Sequence, residues 1–211
     1  MSRVKIEGNA SGTGTFTIAA PNSNTDRTFN LPDEAGTVLT SASAASSIPG
    51  YGNLTDWDVW RLTGASAAVS SAETDLTVSM ERTDTDGFEK KGDGMSVSSG
   101  IFTFPRTGYW LITHNGVFYE SGGGINEIWS QIVTSSSYPS GWSNAAISIA
   151  NIGSIAGNPR TNTECKCIFK VTDTALNKCK FSYYVNGSGV YLEGNTNDNR
   201  YSMTFIRLGD V

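Results

Sequence analysis

Few residues in this chain are of types that do chemistry, and they are scattered. A single histidine, His114, and three cysteines, Cys165, Cys167 and Cys179, stand among 211 residues. One imidazole leaves little from which to build a Ser-His-Asp relay or a metal site, and His114 lies in the most apolar stretch of the chain, where a satisfied core or interface imidazole is expected. The cysteines are odd in number and lack a CxxC repeat or a histidine-rich partner, so they read as reduced thiols. Cys165 and Cys167, two apart in a strand-like stretch, point to one face as small buried hydrophobes, and a disulfide involving Cys179 is the alternative. Asp84-Thr85-Asp86-Gly87, followed by Glu89 and Asp93, partly matches a calcium loop but lacks the closing bidentate glutamate, which favours a solvated hairpin over a structural cation. Gly122 to Gly124 have no strand-loop-helix frame and no following Lys-Ser/Thr, so they are not a phosphate cradle. Carboxylate pairs for glycoside hydrolysis meet only in space, and nothing singles one out. The expectation is a protein without cofactor or metal, and not an enzyme.

Recognition has better candidates. Tyr138-Pro139-Ser140-Gly141-Trp142 puts two aromatics in a turn-prone insertion, and Glu193 to Arg200 (EGNTNDNR) is dense in short polar side chains. Aromatic faces beside Asn and Asp suit a sugar or protein surface, which makes Tyr138, Trp142, Asn195, Asn197 and Asp198 the candidate ligand-binding residues. The competing reading is that Asn, Gly and Asp simply build turns and that Trp142 tucks into the core.

The elements that must position these residues are strands. No stretch of a dozen residues carries apolar positions at helical spacing between caps, so the chain is expected to be nearly all β. Gly108 to Tyr119 (GYWLITHNGVFY) places Tyr109, Leu111 and Val117 on one face and Trp110, Ile112 and Phe118 on the other, and a strand apolar on both faces must be covered twice. Glu127 to Thr134, Ala145 to Ile149, Cys165 to Val171, Cys179 to Val185, Gly189 to Leu192 and Tyr201 to Leu208 follow as shorter strands, spaced for antiparallel connections. Ahead of them, Thr13 to Ala20, Arg27 to Leu31 and Gly36 to Thr40 are short β runs. Their large apolar residues, chiefly Phe16, Ile18, Phe29 and Leu31, are too few for an independent core, so this segment needs a neighbour. Ser41 to Gly52 (SASAASSIPGYG) reads as a linker.

Composition closes off other classes. Charged residues are 17% of the chain, below the roughly 25% of an average soluble domain. Lys plus Arg number 15 against 20 Asp plus Glu, so no basic footprint for nucleic acid or an anionic membrane is expected. No apolar run approaches the roughly 20 residues of a membrane helix, and Met1 to Ala10 has no signal-peptide core.

Four segments carry a resemblance. Asp58-Val59-Trp60-Arg61-Leu62, then Gly100-Ile101-Phe102-Thr103-Phe104-Pro105-Arg106-Thr107-Gly108-Tyr109-Trp110, then Tyr201 to Gly209 (YSMTFIRLG) resemble the opening, middle and closing strands of the C1q/TNF-like jelly roll. The middle segment fits the pattern G-x-F-x-x-P-x-x-G-x-Y/W and is the most specific of them. The chain departs from animal C1q domains at Asp173 to Lys180 and in a Gly/Ser-rich insertion at Ser135 to Pro159. Gly12 to Thr40 resembles a segment at the front of many tailed-phage virion proteins, with G-T-x-T-x-T and R-T-x-x-L-P-D-x-x-G-T-V-L as its recurring parts.

These resemblances imply an all-β protein with a C1q/TNF-like jelly-roll sandwich at residues 56–211, a linker at 41–55 and an N-terminal virion-attachment β segment at 1–40. They imply a homotrimer, for which Tyr109, Phe118, Tyr119, Phe181, Tyr183 and Tyr201 are the candidate axial residues. Phe16, Ile18, Phe29 and Leu31 are the candidates for anchoring to another virion protein. The expected function is a bacteriophage virion structural protein, assembled in the host cytoplasm, serving as capsid decoration or short-fibre knob. The alternative is the receptor-binding tip of a tail fibre that recognises a host-surface glycan or protein.

Overall fold

The structure is a computed structural model that describes residues 11–15, 17, 22–26, 28, 54–68, 71–77, 79–85, 87–122, 126–153 and 157–211. The chain divides into two units, Met1–Ser41 and Ala42–Val211. Phe16, Ile18, Phe29 and Leu31 lie outside the described residues, as does the sequence-predicted linker up to Asn53.

Among the described residues every regular element is a strand: β1 (Trp57–Leu62), β2 (Ser66–Ala67), β3 (Thr74–Asp75), β4 (Met80–Arg82), β5 (Ser96–Ser98), β6 (Ile101–Thr103), β7 (Gly108–Glu120), β8 (Asn126–Ser137), β9 (Ser140–Ile152), β10 (Arg160–Val171), β11 (Lys178–Val185), β12 (Val190–Leu192) and β13 (Tyr201–Gly209). They form two antiparallel sheets. The first runs β2-β12-β7-β13-β1-β4, with β10 on β7; the second runs β5-β6-β11-β8-β9, with β3 on β11. β12 and β13 lie in line beside β7, since Leu192 faces Phe118 and Tyr201 faces Gly116.

The alternation of β7 decides where the core sits. Its even-numbered side chains, Trp110, Ile112, His114 and Phe118, point between the sheets and are buried. Across from them lie Ile128, Ile132, Phe181 and Val185 of the second sheet, also buried. Phe102 joins the two sides, with its ring 5.6 Å from Trp60, 5.5 Å from Phe181 and 5.0 Å from Phe205. Each such side chain contributes about 1.5–3 kcal/mol when fully buried.

Ion pairs fix the β1 and β4 margin. Buried Asp58 accepts from Arg82 Nε at 2.8 Å and Nη2 at 3.0 Å, Trp60 Nε1 at 3.0 Å and the Met95 amide at 2.7 Å. The buried guanidinium of Arg61 donates to Glu81 and to Asp84, both at 2.8 Å. Asp93 pairs with Arg106 at 3.1 Å. The described carboxylates Asp84 and Asp93 of the acidic turn are thus already held by arginines.

The insertion read at Ser135 to Pro159 is mostly strand. β9 spans Ser140–Ile152, beyond the short run expected at Ala145 to Ile149, and pairs with β8 down to Ser137 opposite Ser140. It is the last strand of its sheet, so its Ser and Asn side chains stay hydrated while the backbone bonds to β8. All three thiols are free; Cys165 and Cys179 are buried and Cys167 is half-buried.

Candidate functional site

Two surfaces and one buried group stand out. The outward face of β7 carries Tyr109, Leu111 and Val117, and its neighbours continue it. Register aligns Ile168 of β10, Leu111 of β7, Ile206 of β13 and Trp57 of β1 in one row. Strand spacing makes that row about 14 Å wide. Ile168 is 63% exposed, and Tyr109 and Leu208 beside the row are 40% and 48% exposed. The next row, Lys166, Thr113, Thr204 and Val59, is mixed, and the one beyond is polar with Glu164, Asn115 and Ser202. The result is an apolar row with a polar margin, with Lys91 Nζ 5.1 Å over the Trp57 ring and Lys170 Nζ 5.9 Å over the Tyr109 ring, which leaves Ile168, Leu111 and Ile206 as its uncapped part. Apolar residues inside a charged rim are the composition of a protein contact.

The predicted axial aromatics divide between the two sides of the first sheet and the second. Phe118, Phe181, Tyr183 and Tyr201 are buried within the subunit. Their surface is spent inside the sandwich, which corrects their placement at an intersubunit contact. Tyr109 and Tyr119 are on the outward face of β7, and Tyr119 stacks on Tyr191 with ring centroids 4.9 Å apart. Of the outward row only Leu111 was placed on a face by the sequence; Ile168, Ile206 and Trp57, with Leu208 beside them, escaped it. The signal for Ile168 is the unbroken apolar run Cys167-Ile168-Phe169, in which Ile168 must face opposite to its neighbours.

The predicted ligand residues lie at opposite ends of the sandwich. Tyr138 and Trp142 form the β8–β9 hairpin tip, where the Tyr138 amide donates to the Leu176 carbonyl at 3.0 Å. That end holds the start of β7 and the end of β10, Gly108 opposite Val171, and the residues leading into β1, because Arg207 reaches Thr55 Oγ1 at 3.1 Å. The two rings meet edge to face, 82° apart, with Lys180 Nζ 4.9 Å over Trp142 and Lys178 Nζ 5.9 Å over Tyr138. Edge-on rings capped by ammonium groups are not an open platform for a sugar.

Asn195, Asn197 and Asp198 belong to an excursion from one strand line. The Glu193 amide donates to the Val117 carbonyl at 2.9 Å and the Val117 amide to the Arg200 carbonyl at 3.2 Å, so both ends of the loop are tied to one residue. Gly108 and Gly116 are eight residues apart on β7, which separates this loop from the hairpin tip by about 26 Å at roughly 3.3 Å per residue. Asn195 Oδ1 accepts from the Asn197 amide at 2.7 Å, and Asp198 Oδ1 accepts from Arg200 Nε at 2.8 Å. Glu193 accepts from Arg160 Nε at 2.6 Å; this hydrogen bond, more than the one from Arg200, holds its carboxyl below the usual carboxylate range. Thr196 Oγ1 donates to Glu81 at 2.6 Å, so the loop also closes over Arg61. These polar groups are largely engaged in shaping the loop.

His114 occupies the centre of the core. Its Nδ1–H donates to the Gln131 carbonyl of β8 at 3.2 Å, leaving Nε2 unprotonated and without a hydrogen-bond partner. Burial pushes its pKa down to about 4 against a smaller opposing effect of the Gln131 carbonyl. Burial pushes the Cys165 thiol up to about 12 and raises Cys167 and Cys179 as well, which makes none of them a ready nucleophile. Among the described residues no group of His, Cys, Asp and Glu is arranged to hold a metal ion.

No protein-family model matches the chain, and no curated protein matches it in sequence. The fold does have solved counterparts. Murine APRIL at pH 5.0 superposes with a TM-score of 0.51 at 8% identity, covering 72% of this chain and 98% of that one. Eiger TNF from S. frugiperda superposes with a TM-score of 0.52 at 8% identity, covering 75% of this chain and 96% of that one. At such identity the likeness is one of fold: this chain is an all-β, TNF-like jelly roll.

Proposed function

We propose that the chain is a non-enzymatic structural protein of a tailed-phage particle, whose jelly roll self-associates into a homotrimer. The observation that carries the self-association is the apolar row Ile168, Leu111, Ile206 and Trp57 on the outward face of the first sheet, bordered by Tyr109 and Leu208. A neighbouring copy covering that face removes it from water at about 25 cal/mol per Å². The jelly-roll resemblance supports three copies around an axis. The virion reading rests on the likeness of Gly12 to Thr40 to phage virion segments, and attachment through Phe16, Ile18, Phe29 and Leu31 is part of it.

Sedimentation of the full chain tests the assembly: a trimer at micromolar concentration is expected, and a folded monomer there overturns it. Antibody labelling of purified phage particles tests the location, and particles without the chain overturn the virion role.

The second reading, recognition of a host glycan or protein, draws support from the polar loop Gly194 to Asn199. This loop lies at the end of the sandwich away from the residues that lead into β1. Under that reading, Asn197→Ala together with Asp198→Ala abolishes binding of the trimer to host cells, while Tyr138→Ala and Trp142→Ala leave it intact.

A further inference from the structure

We propose that His114 is a proton-sensitive latch between the two sheets: the neutral ring holds β7 against β8, and mild acid weakens that hold because the parted sheets accept a proton that the closed ones refuse. The inference concerns the jelly roll alone and holds whether or not the chain assembles. His114 is the sole histidine of the chain and has no exposed surface. Its ring bridges the layers, bonded through Nδ1 to Gln131 of the second sheet and packed edge to face on Phe181 of the second sheet and Tyr201 of the first, with centroids 4.9 Å and 5.3 Å away.

Protonation places a second N–H, on Nε2, where no acceptor stands. The surrounding elements offer the charge no anion. Register sets Cys165 of β10 and Met203 of β13 on either side of His114, β13 adds the Tyr201 phenol, and β11 adds Cys179 and Tyr183. Burial holds Cys165, Cys179 and Tyr201 in their protonated, neutral forms. Facing carboxylates are absent from this set: of the buried acids, Asp56, Asp58 and Glu193 pair with Arg106, Arg82 and Arg160, and Glu120 stands six residues further along β7, about 20 Å away. An unpaired buried cation is relieved only by hydration, and water reaches Nε2 only when the sheets part.

The sign follows from where the proton binds. The folded chain resists protonation down to about 4, whereas an unfolded histidine accepts a proton near its ordinary value of about 6.5. Stability contributed by the neutral ring is therefore complete above about pH 6.5 and is lost as pH falls from there toward 4.

The test is urea unfolding of the full chain at one fixed concentration, at pH 7.5 and pH 5.0, for the natural chain and His114→Gln. The unfolding constant of the natural chain is expected to rise about 30-fold at the lower pH, and that of His114→Gln to change severalfold less. An equal response in both proteins, or none in the natural chain, overturns the latch. Should His114→Gln fail to fold, the proton resonance of the single imidazole in the natural chain decides: it stays unshifted down to pH 5 if the latch exists. A folded-state titration midpoint near 6.5 overturns it.

Discussion

A carboxylate with no exposed surface must find its hydrogen bonds inside the chain, and Asp58 does so with Arg82, Trp60 and Met95. Removing it strands a guanidinium and a buried amide, so Asp58→Ala is expected to lower stability by about 3–5 kcal/mol, measured by urea unfolding at pH 7.5. Tyr201 gives the opposite case. Its buried hydroxyl lies beside Ser130 without a hydrogen bond of ordinary geometry, so Tyr201→Phe is expected to fall within about 1 kcal/mol of the natural chain. A loss as large as that of Asp58→Ala would show that the hydroxyl is bonded in solution. Glu81 and Glu193 are both held below the usual carboxylate range, Glu81 chiefly by the Thr196 hydroxyl and then Arg61, Glu193 chiefly by Arg160. Their contribution is present above their unfolded values and is lost as pH falls through the folded ones. The loss of stability on acidification should therefore begin with His114 and continue with the glutamates at lower pH, and proton uptake on unfolding measured against pH separates the two contributions. None of these partnerships was legible in the sequence. Asp58 could be placed on a strand, but apart from Trp60 two residues on, its donors Arg82 and Met95 are 24 and 37 residues away, and nothing in the order of residues names them.

Strands were easier to read, because alternation is local. β7, β11 and β13 were marked as strands by their density of apolar and β-branched residues, though not by which face is buried. β9 did not, since an outermost strand tolerates Ser and Asn on its wet side and so looks like a loop. The entry into β7 was marked in the sequence by the pattern G-x-F-x-x-P-x-x-G-x-Y/W, with Pro105 followed by Gly108, and the structure supplies the reason for that glycine. Its φ is +144°, and a Cβ there would stand 2.6 Å from both Arg207 Nε and the Gly209 carbonyl oxygen. The arginine end can shift; the backbone oxygen belongs to β13 and cannot move without breaking its pairing with Tyr109. Gly108→Ala is accordingly expected to cost about 2 kcal/mol or more, and hydrogen exchange should show lost protection at the paired ends of β7 and β13. Unchanged protection there would mean that the turn relaxes without disturbing the sheet.

For the molecule as a whole, the sequence showed strands apolar on both sides and hence an unmet need for cover, but not which side was which. A strand with Tyr109, Leu111 and Val117 on one face and Trp110, Ile112 and Phe118 on the other is symmetric to a reader of periodicity. The choice between faces is made by what lies across the gap, here Ile128 and Ile132 of β8 and Phe181 of β11, which only the folded chain brings there. That is why most of the aromatics assigned to an axis turned out to fill the core, while Ile168 and Leu208 were overlooked. The same geometry makes the assembly reading testable without disturbing the fold. Ile168 points away from the core and is 63% exposed, so Ile168→Glu should change the stability of a single subunit by only about 0.5 kcal/mol. In an assembled face the carboxylate would lie against the neighbour's apolar surface, at a desolvation cost of several kcal/mol per ion. Sedimentation of Ile168→Glu is expected to give a folded monomer where the natural chain gives a trimer, with Ser188→Glu, exposed in a loop at the far end, keeping the natural size. A trimer retained by Ile168→Glu would exclude this row from the contact and leave the exposed Ile147 and Ile149 of β9 as the remaining apolar surface of the second sheet to be tried in the same way.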